Sequence, residues 1–141
     1  MTINFSTNLE VRITDINYGG HLDHAKLIGL LHEARVRFLK ECQMSETSIK
    51  EDSALVMRNL DVKYIRQIFC GDVLIINICL TQDKAKLVFS YEVFKESDKK
   101  ICSQAVAQMV LINKKSEKSC NPSKLMAEIE NEYLHSKANV K

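Results

Sequence analysis

One stretch of this 141-residue chain limits the folds open to it more than any other. Leu27, Leu30, Leu31, Ala34 and Phe38 recur at three- and four-residue steps, with Leu22 ahead of them. That spacing predicts one amphipathic helix over about His21 to Glu41, roughly five turns or more. An apolar stripe of that length has to be covered, and the rest of the chain offers strands to cover it. Ahead of the helix, Leu9, Val11 and Ile13 alternate with Glu10, Arg12 and Thr14, the period-two pattern of a half-buried strand. The pattern breaks at Asn17-Tyr18-Gly19-Gly20.

After the helix, Ala54–Ile65, Asp72–Thr81, Leu87–Phe94 and Cys102–Asn113 are rich in Val, Ile, Leu, Phe and Tyr. Turns are expected at Cys70-Gly71, Gln82–Lys86 and Glu96–Lys100. Consecutive long strands imply an antiparallel meander. Asn121 can cap a last helix that has Pro122 at its first position and Leu125, Met126, Ile129 and Tyr133 on one apolar face. The expected class is therefore α+β: a five-stranded antiparallel sheet curled around a long central helix, with a C-terminal helix over about 121–135. An open sheet edge or uncovered face is economically buried in a symmetric homo-oligomer, a dimer or a tetramer.

A hydrophobic fraction of 45% in 141 residues supports one core, so one domain spanning 1–141 is expected. A net charge of +2 with 27% charged residues lacks the basic footprint of a nucleic-acid binder. Cys42, Cys70, Cys79, Cys102 and Cys120 are odd in number and widely spaced, which argues against a disulfide framework or a zinc ribbon and for a reducing cytosol. The start of the chain lacks the pattern of a secretory leader, and no stretch has the apolar length of a membrane span, so a soluble cytoplasmic protein is expected.

The segment Arg12-Ile-Thr-Asp15-Ile-Asn17-Tyr-Gly-Gly20-His21-Leu-Asp23-His24, with His32-Glu33-Ala34-Arg35 in the helix, resembles the start of hotdog-fold acyl-CoA thioesterases. Their pattern is D-x-D-x-x-G-H-[VL]-N-N leading into a helix that carries E-A-R. Val62-Lys63-Tyr64-Ile65-Arg66 and then Gly71-Asp72 look like that family's second strand and following turn. The resemblance covers roughly residues 7 to 113. It implies a hotdog domain, an acyl-CoA or acyl-carrier thioester as ligand, no cofactor beyond the coenzyme A of the substrate, and a site shared between subunits. Two departures stand out. Asn17 occupies the position that is the catalytic carboxylate in the 4-hydroxybenzoyl-CoA thioesterase branch, and Asp23-His24 replaces the N-N pair.

A thioester carbonyl gains negative charge as water attacks it, and unpaired amides at a helix start stabilise such charge. Gly20 allows close approach, so the amides around Gly20 to His24, Leu22 among them, are the candidate oxyanion donors. Asn17 can orient water but cannot take its proton. Asp23 or His24, then Asp15, with His21 also available, are the candidate bases. The ordinary alternatives are turn hydrogen bonds for Asp15 and Asn17 and dipole compensation for Asp23. His21, Asp23 and His24 make a weak metal signal, and no metal is expected. Tyr64 and Arg66, two apart on a strand, share a face on which they can cover a pantetheine arm or hold a phosphate, with Lys63 opposite. Glu33 is a candidate substrate contact. For Glu33 and Arg35 alike, a surface or interface ion pair is the default reading. Thioester hydrolysis is thus the leading function. Binding of acyl thioesters without catalysis is the runner-up, and a hydratase or dehydratase comes third.

Overall fold

The computed structural model describes residues 2–47, 49 and 52–138. In chain order the elements are β1 (Thr2–Glu10), a single 3-10 turn (Ile13–Asp15), α1 (His24–Glu41), β2 (Ser53–Tyr64), β3 (Val73–Asp83), β4 (Lys86–Lys95), β5 (Ile101–Asn113), β6 (Ser119–Cys120) and α2 (Ser123–Ala138). All pairings are antiparallel, and the strand order is β1-β3-β4-β5-β2 with β6 beside the end of β5.

The sheet therefore has six strands, where the sequence suggested five, because Ser119–Cys120 is too short to show a period. Only β3-β4-β5 form the expected meander. β2 crosses to the far side of β5, pairing Ser53 with Asn113 and Tyr64 with Ser103, and carries a bulge between Met57 and Asn59. β2 and β1 are the two edges.

The first strand was expected over Leu9–Thr14 and instead runs from Thr2 to Glu10. Val11 is buried and still bonds Asp72, but Ile13 points to solvent. The cause is Asp15, whose carboxylate accepts from the Arg12 amide at 3.0 Å and pulls the chain into the 3-10 turn. α1 begins at His24 and not His21, since Asp23 accepts from the Ala25 and Lys26 amides and so makes itself the N-cap.

Leu30, Leu31, Ala34, Phe38 and Leu39 of α1 pack on the inward residues of the sheet, including Leu74, Ile76, Ile78, Leu80, Phe89 and Tyr91. Each such Leu or Phe removed from water contributes on the order of 1.5–3 kcal/mol. The sheet does not wrap the helix completely, for Ile28 and Val36 remain about two-fifths exposed. α2 closes the far end of α1. Asn121 accepts from the Ser123 amide, and the Pro122 carbonyl accepts the first helical bond from Met126, so the helix opens one or two residues later than its capping residues suggest. Tyr133 then meets Phe38 edge-on at 5.5 Å, and Phe38 in turn stacks on Phe5 at 5.2 Å.

Candidate active site

The chain between β1 and α1 is tied down by its own backbone. Asp23 donates its amide to the Asp15 carbonyl, Leu22 to the Ile68 carbonyl, and Asn17 to the His21 carbonyl. The Asn17 side-chain oxygen accepts from the His21 amide at 3.3 Å. Two glycines make this path possible. Gly20 sits at φ +89°, which residues with a Cβ rarely adopt. At Gly19 a Cβ would come within 3.3 Å of both Asn17 Oδ1 and His21 Cε1.

Beside this loop lies a cavity of about 300 Å³ lined by Asn17, His21, Leu22, His24, Leu27, Tyr64, Ile65, Arg66, Gln67, Ile68 and Cys102. It brings together six of the residues singled out from the sequence: Asn17, His21, Leu22, His24, Tyr64 and Arg66. The His24 ring stands edge-on to Tyr64, and the Tyr64 hydroxyl donates to the His24 carbonyl at 2.8 Å. Burial, followed by the charge of Asp23, pushes the Tyr64 phenol up. The His21 ring rests edge-on against Phe69. His24 Nδ1 lies 3.8 Å from Asp23 Oδ1.

Other sequence candidates are occupied elsewhere. Asp15 is buried and holds the Arg12 amide, away from the cavity. Asp23 is the helix cap and is not among the residues that line the cavity. Glu33 pairs with Arg37 at 2.6 Å on the helix surface. The amides proposed as oxyanion donors need correction. Those of Gly20, His21, Leu22 and Asp23 are all bonded within the protein, and only the His24 N–H in this stretch has no acceptor among the described residues. It sits at the first position of α1, where the positive end of the helix dipole adds to it.

Arg35 also departs from expectation. The sequence suggested a surface or interface pair, but only 6% of the residue is exposed, and its guanidinium binds Tyr91 Oη at 2.8 Å and Glu46. Burial works to lower its pKa, yet Tyr91 and Glu46 together hold it above the ordinary value. His32 reaches the other oxygen of Glu46 at 3.2 Å.

Gln67 and Ile68 escape the sequence reading, and Ile65, Cys102 and Asp98 enter it only as members of strands or a turn, not as site residues. Arg66 is gripped by both carboxylate oxygens of Asp98, at 3.0 and 3.4 Å. That grip, with the Lys100 amide, holds the Asp98 carboxyl down at about 2. A depressed carboxylate keeps its stabilising contribution above the ordinary carboxylate range and loses it only as pH falls through about 2. Cys102, buried in the cavity wall, has its thiol pushed up by that burial. Among the described residues no group of three or more His, Cys, Asp or Glu is arranged to hold a metal, and no helix is long and apolar enough to cross a membrane.

The family model of the thioesterase-like superfamily matches residues 11–131. The chain belongs to that superfamily. It is 26% identical over 115 residues to a 1,4-dihydroxy-2-naphthoyl-CoA hydrolase of Crocosphaera subtropica, covering 77% of this chain and 82% of that one. The fold is similar to that of a Synechocystis 1,4-dihydroxy-2-naphthoyl-CoA thioesterase, with a TM-score of 0.82, 20% identity, and 93% and 96% of the two chains covered. It is also similar to a Staphylococcus aureus protein solved in complex with CoA, with a TM-score of 0.80, 19% identity, and 95% and 86% covered. The hotdog domain suggested by the sequence is thus the fold of this superfamily member.

Proposed function

We propose that this protein hydrolyses acyl-CoA thioesters in the cavity at the start of α1. The observation that carries the proposal is the convergence of Asn17, His24, Tyr64 and Arg66 on one cavity at the helix start of a thioesterase-like chain. The thioester oxygen would accept from the His24 amide, with the dipole of α1 behind it. Asn17 orients water, and the His24 imidazole takes its proton as the oxygen bonds to the carbonyl carbon, with Asp23 stabilising the imidazolium. The C–S bond then breaks and the departing sulfur recovers that proton, leaving acid and thiol. His24 is a better base here than Asp23 or Asp15, whose carboxylates are already accepting from backbone amides.

We further propose that the chain works in the cytoplasm as a homodimer joined along the outer edge of β2. No other strand lies beyond that edge among the described residues, although its first residues are bonded by the Glu46 carbonyl and the Ile49 amide, and its Tyr64 end touches the cavity. The partner would complete the wall over the open side of His24.

The test is thiol release from a panel of acyl-CoAs of short, long and aromatic type, including 1,4-dihydroxy-2-naphthoyl-CoA, the substrate named for the relatives. Asn17→Ala and His24→Ala should each lower kcat by about a hundredfold with the fold intact. One observation favours a second reading, binding without turnover: residue 17 is an amide and not an acid. Protection against melting by acyl-CoA with no thiol release would establish that reading in place of hydrolysis.

A further inference from the structure

We propose that Arg66, braced by Asp98, is an anion-recognition residue at the mouth of the cavity, taking either a phosphate of the coenzyme A moiety or a carboxylate on the acyl group. The inference rests on the reading that the ligand is an acyl-CoA thioester, and adds to it what selects that ligand.

The geometry argues for a built contact and not a chance surface pair. Arg66 lines the same cavity as Tyr64 and His24. Its backbone is anchored by the bond from its amide to the Cys102 carbonyl at 3.1 Å. Asp98 is anchored too, since its Oδ1 accepts from the Lys100 amide at 3.0 Å in the turn between β4 and β5. Two fixed ends therefore hold the guanidinium plane, and about a third of each side chain is exposed. A guanidinium has about five N–H donors. Asp98 occupies one on each terminal nitrogen. The remaining donors have no acceptor among the described residues and form a fork suited to a second, planar or tetrahedral, oxyanion.

Prior orientation matters because a free arginine loses rotamer freedom when it binds. Asp98 has already imposed that order. As its carboxyl is held at about 2, the brace stays charged at neutral pH. Lys95, by contrast, is committed to Asp72 at 3.3 Å and lies over the Phe69 ring, so it is not a rival for the role.

The experiment is calorimetric titration of the whole chain with unreactive ligands: coenzyme A, pantetheine, and two pantetheine thioethers bearing a benzyl or a carboxybenzyl group. Wild type is compared with Arg66→Gln, Arg66→Lys and Asp98→Asn. Arg66→Gln should weaken an anionic ligand by about tenfold more than its neutral counterpart, the size of a charge-assisted hydrogen bond. Arg66→Lys should restore part of the difference as a point charge. Asp98→Asn should show the same selectivity at a few-fold. A penalty confined to coenzyme A identifies the phosphate, and one confined to the carboxybenzyl thioether identifies the acyl carboxylate. Equal losses on charged and neutral ligands, tighter binding by Asp98→Asn, or no binding of any anionic ligand by wild type would overturn the assignment. Charge-selective binding without thiol release would remove the proposed hydrolysis and leave Arg66 in its role. Hydrolysis with charge-blind variants would do the reverse.

Discussion

The two ends of α1 are built on opposite terms. Its C-terminal half is closed: Arg35 is locked to Tyr91 and Glu46, Phe38 stacks on Phe5 and meets Tyr133 edge-on, and Cys42 lies buried against α2. Its N-terminal end is open, with a cavity, an unpaired amide and the mostly exposed imidazole of His24. One helix can present reactive groups at one end because the other end carries the burden of holding it in place.

The contrast can be broken most directly at Arg35. Arg35→Met should cost about 3–5 kcal/mol in urea denaturation, since it strands Glu46 without its partner, and Arg35→Met combined with Glu46→Leu should recover much of that loss. His24→Ala at the open end should stay within about 0.5 kcal/mol. If the two losses were equal, the division of labour would be wrong.

Thiol labelling sharpens the same point. The Cys42 thiol is pushed up to about 12, chiefly by burial and then by the charges of Glu41 and Glu132. Cys70, in the loop beside the cavity, is exposed. Iodoacetamide at pH 8 should modify Cys70 at least about a hundredfold faster than Cys42, because only the thiolate reacts. Peptide mass mapping reads the two rates.

Smaller effects separate roles within the open end. Asp23→Ala should cost about 1 kcal/mol of stability by removing the cap, whereas Asp23→Asn keeps the cap and should be nearly neutral. If Asp23→Asn abolishes turnover at unchanged stability, the carboxylate does more than cap. On the helix surface, Glu33→Gln should cost only about 0.3–0.5 kcal/mol in the same denaturation, with no effect on KM, because the pair with Arg37 is exposed.

What could be read from the sequence divides along similar lines. The long helix follows from its spacing and the four strands after it from their runs of Val, Ile, Leu, Phe and Tyr, even at β2, where only Leu55 is buried. The site was legible as far as it is local: Asn17 and His21 lie in the loop that leads to His24 at the start of α1, and Tyr64 and Arg66 are two apart, although β2 ends at Tyr64 and Arg66 lies just beyond it, off the strand expected to carry both. Asp98 was hidden because its partner is 32 residues away in sequence. The burial of Arg35 was hidden as well, since an arginine on a helix reads as surface until Glu46 and Tyr91 are known to surround it. The extent of β1 was misread because Ile13 continues an alternation that Asp15 interrupts.

The bond from the His21 amide to Asn17 Oδ1 has a consequence for how this site could have changed and could be changed again. An aspartate at position 17 would offer the same oxygen, at the same length of side chain, to the same donor. The loop needs an acceptor at that place, and a charged one would take the same bond at least as strongly. Acid and amide are thus interchangeable for folding while differing for chemistry, so a lineage can pass between them in one step without crossing an unstable intermediate.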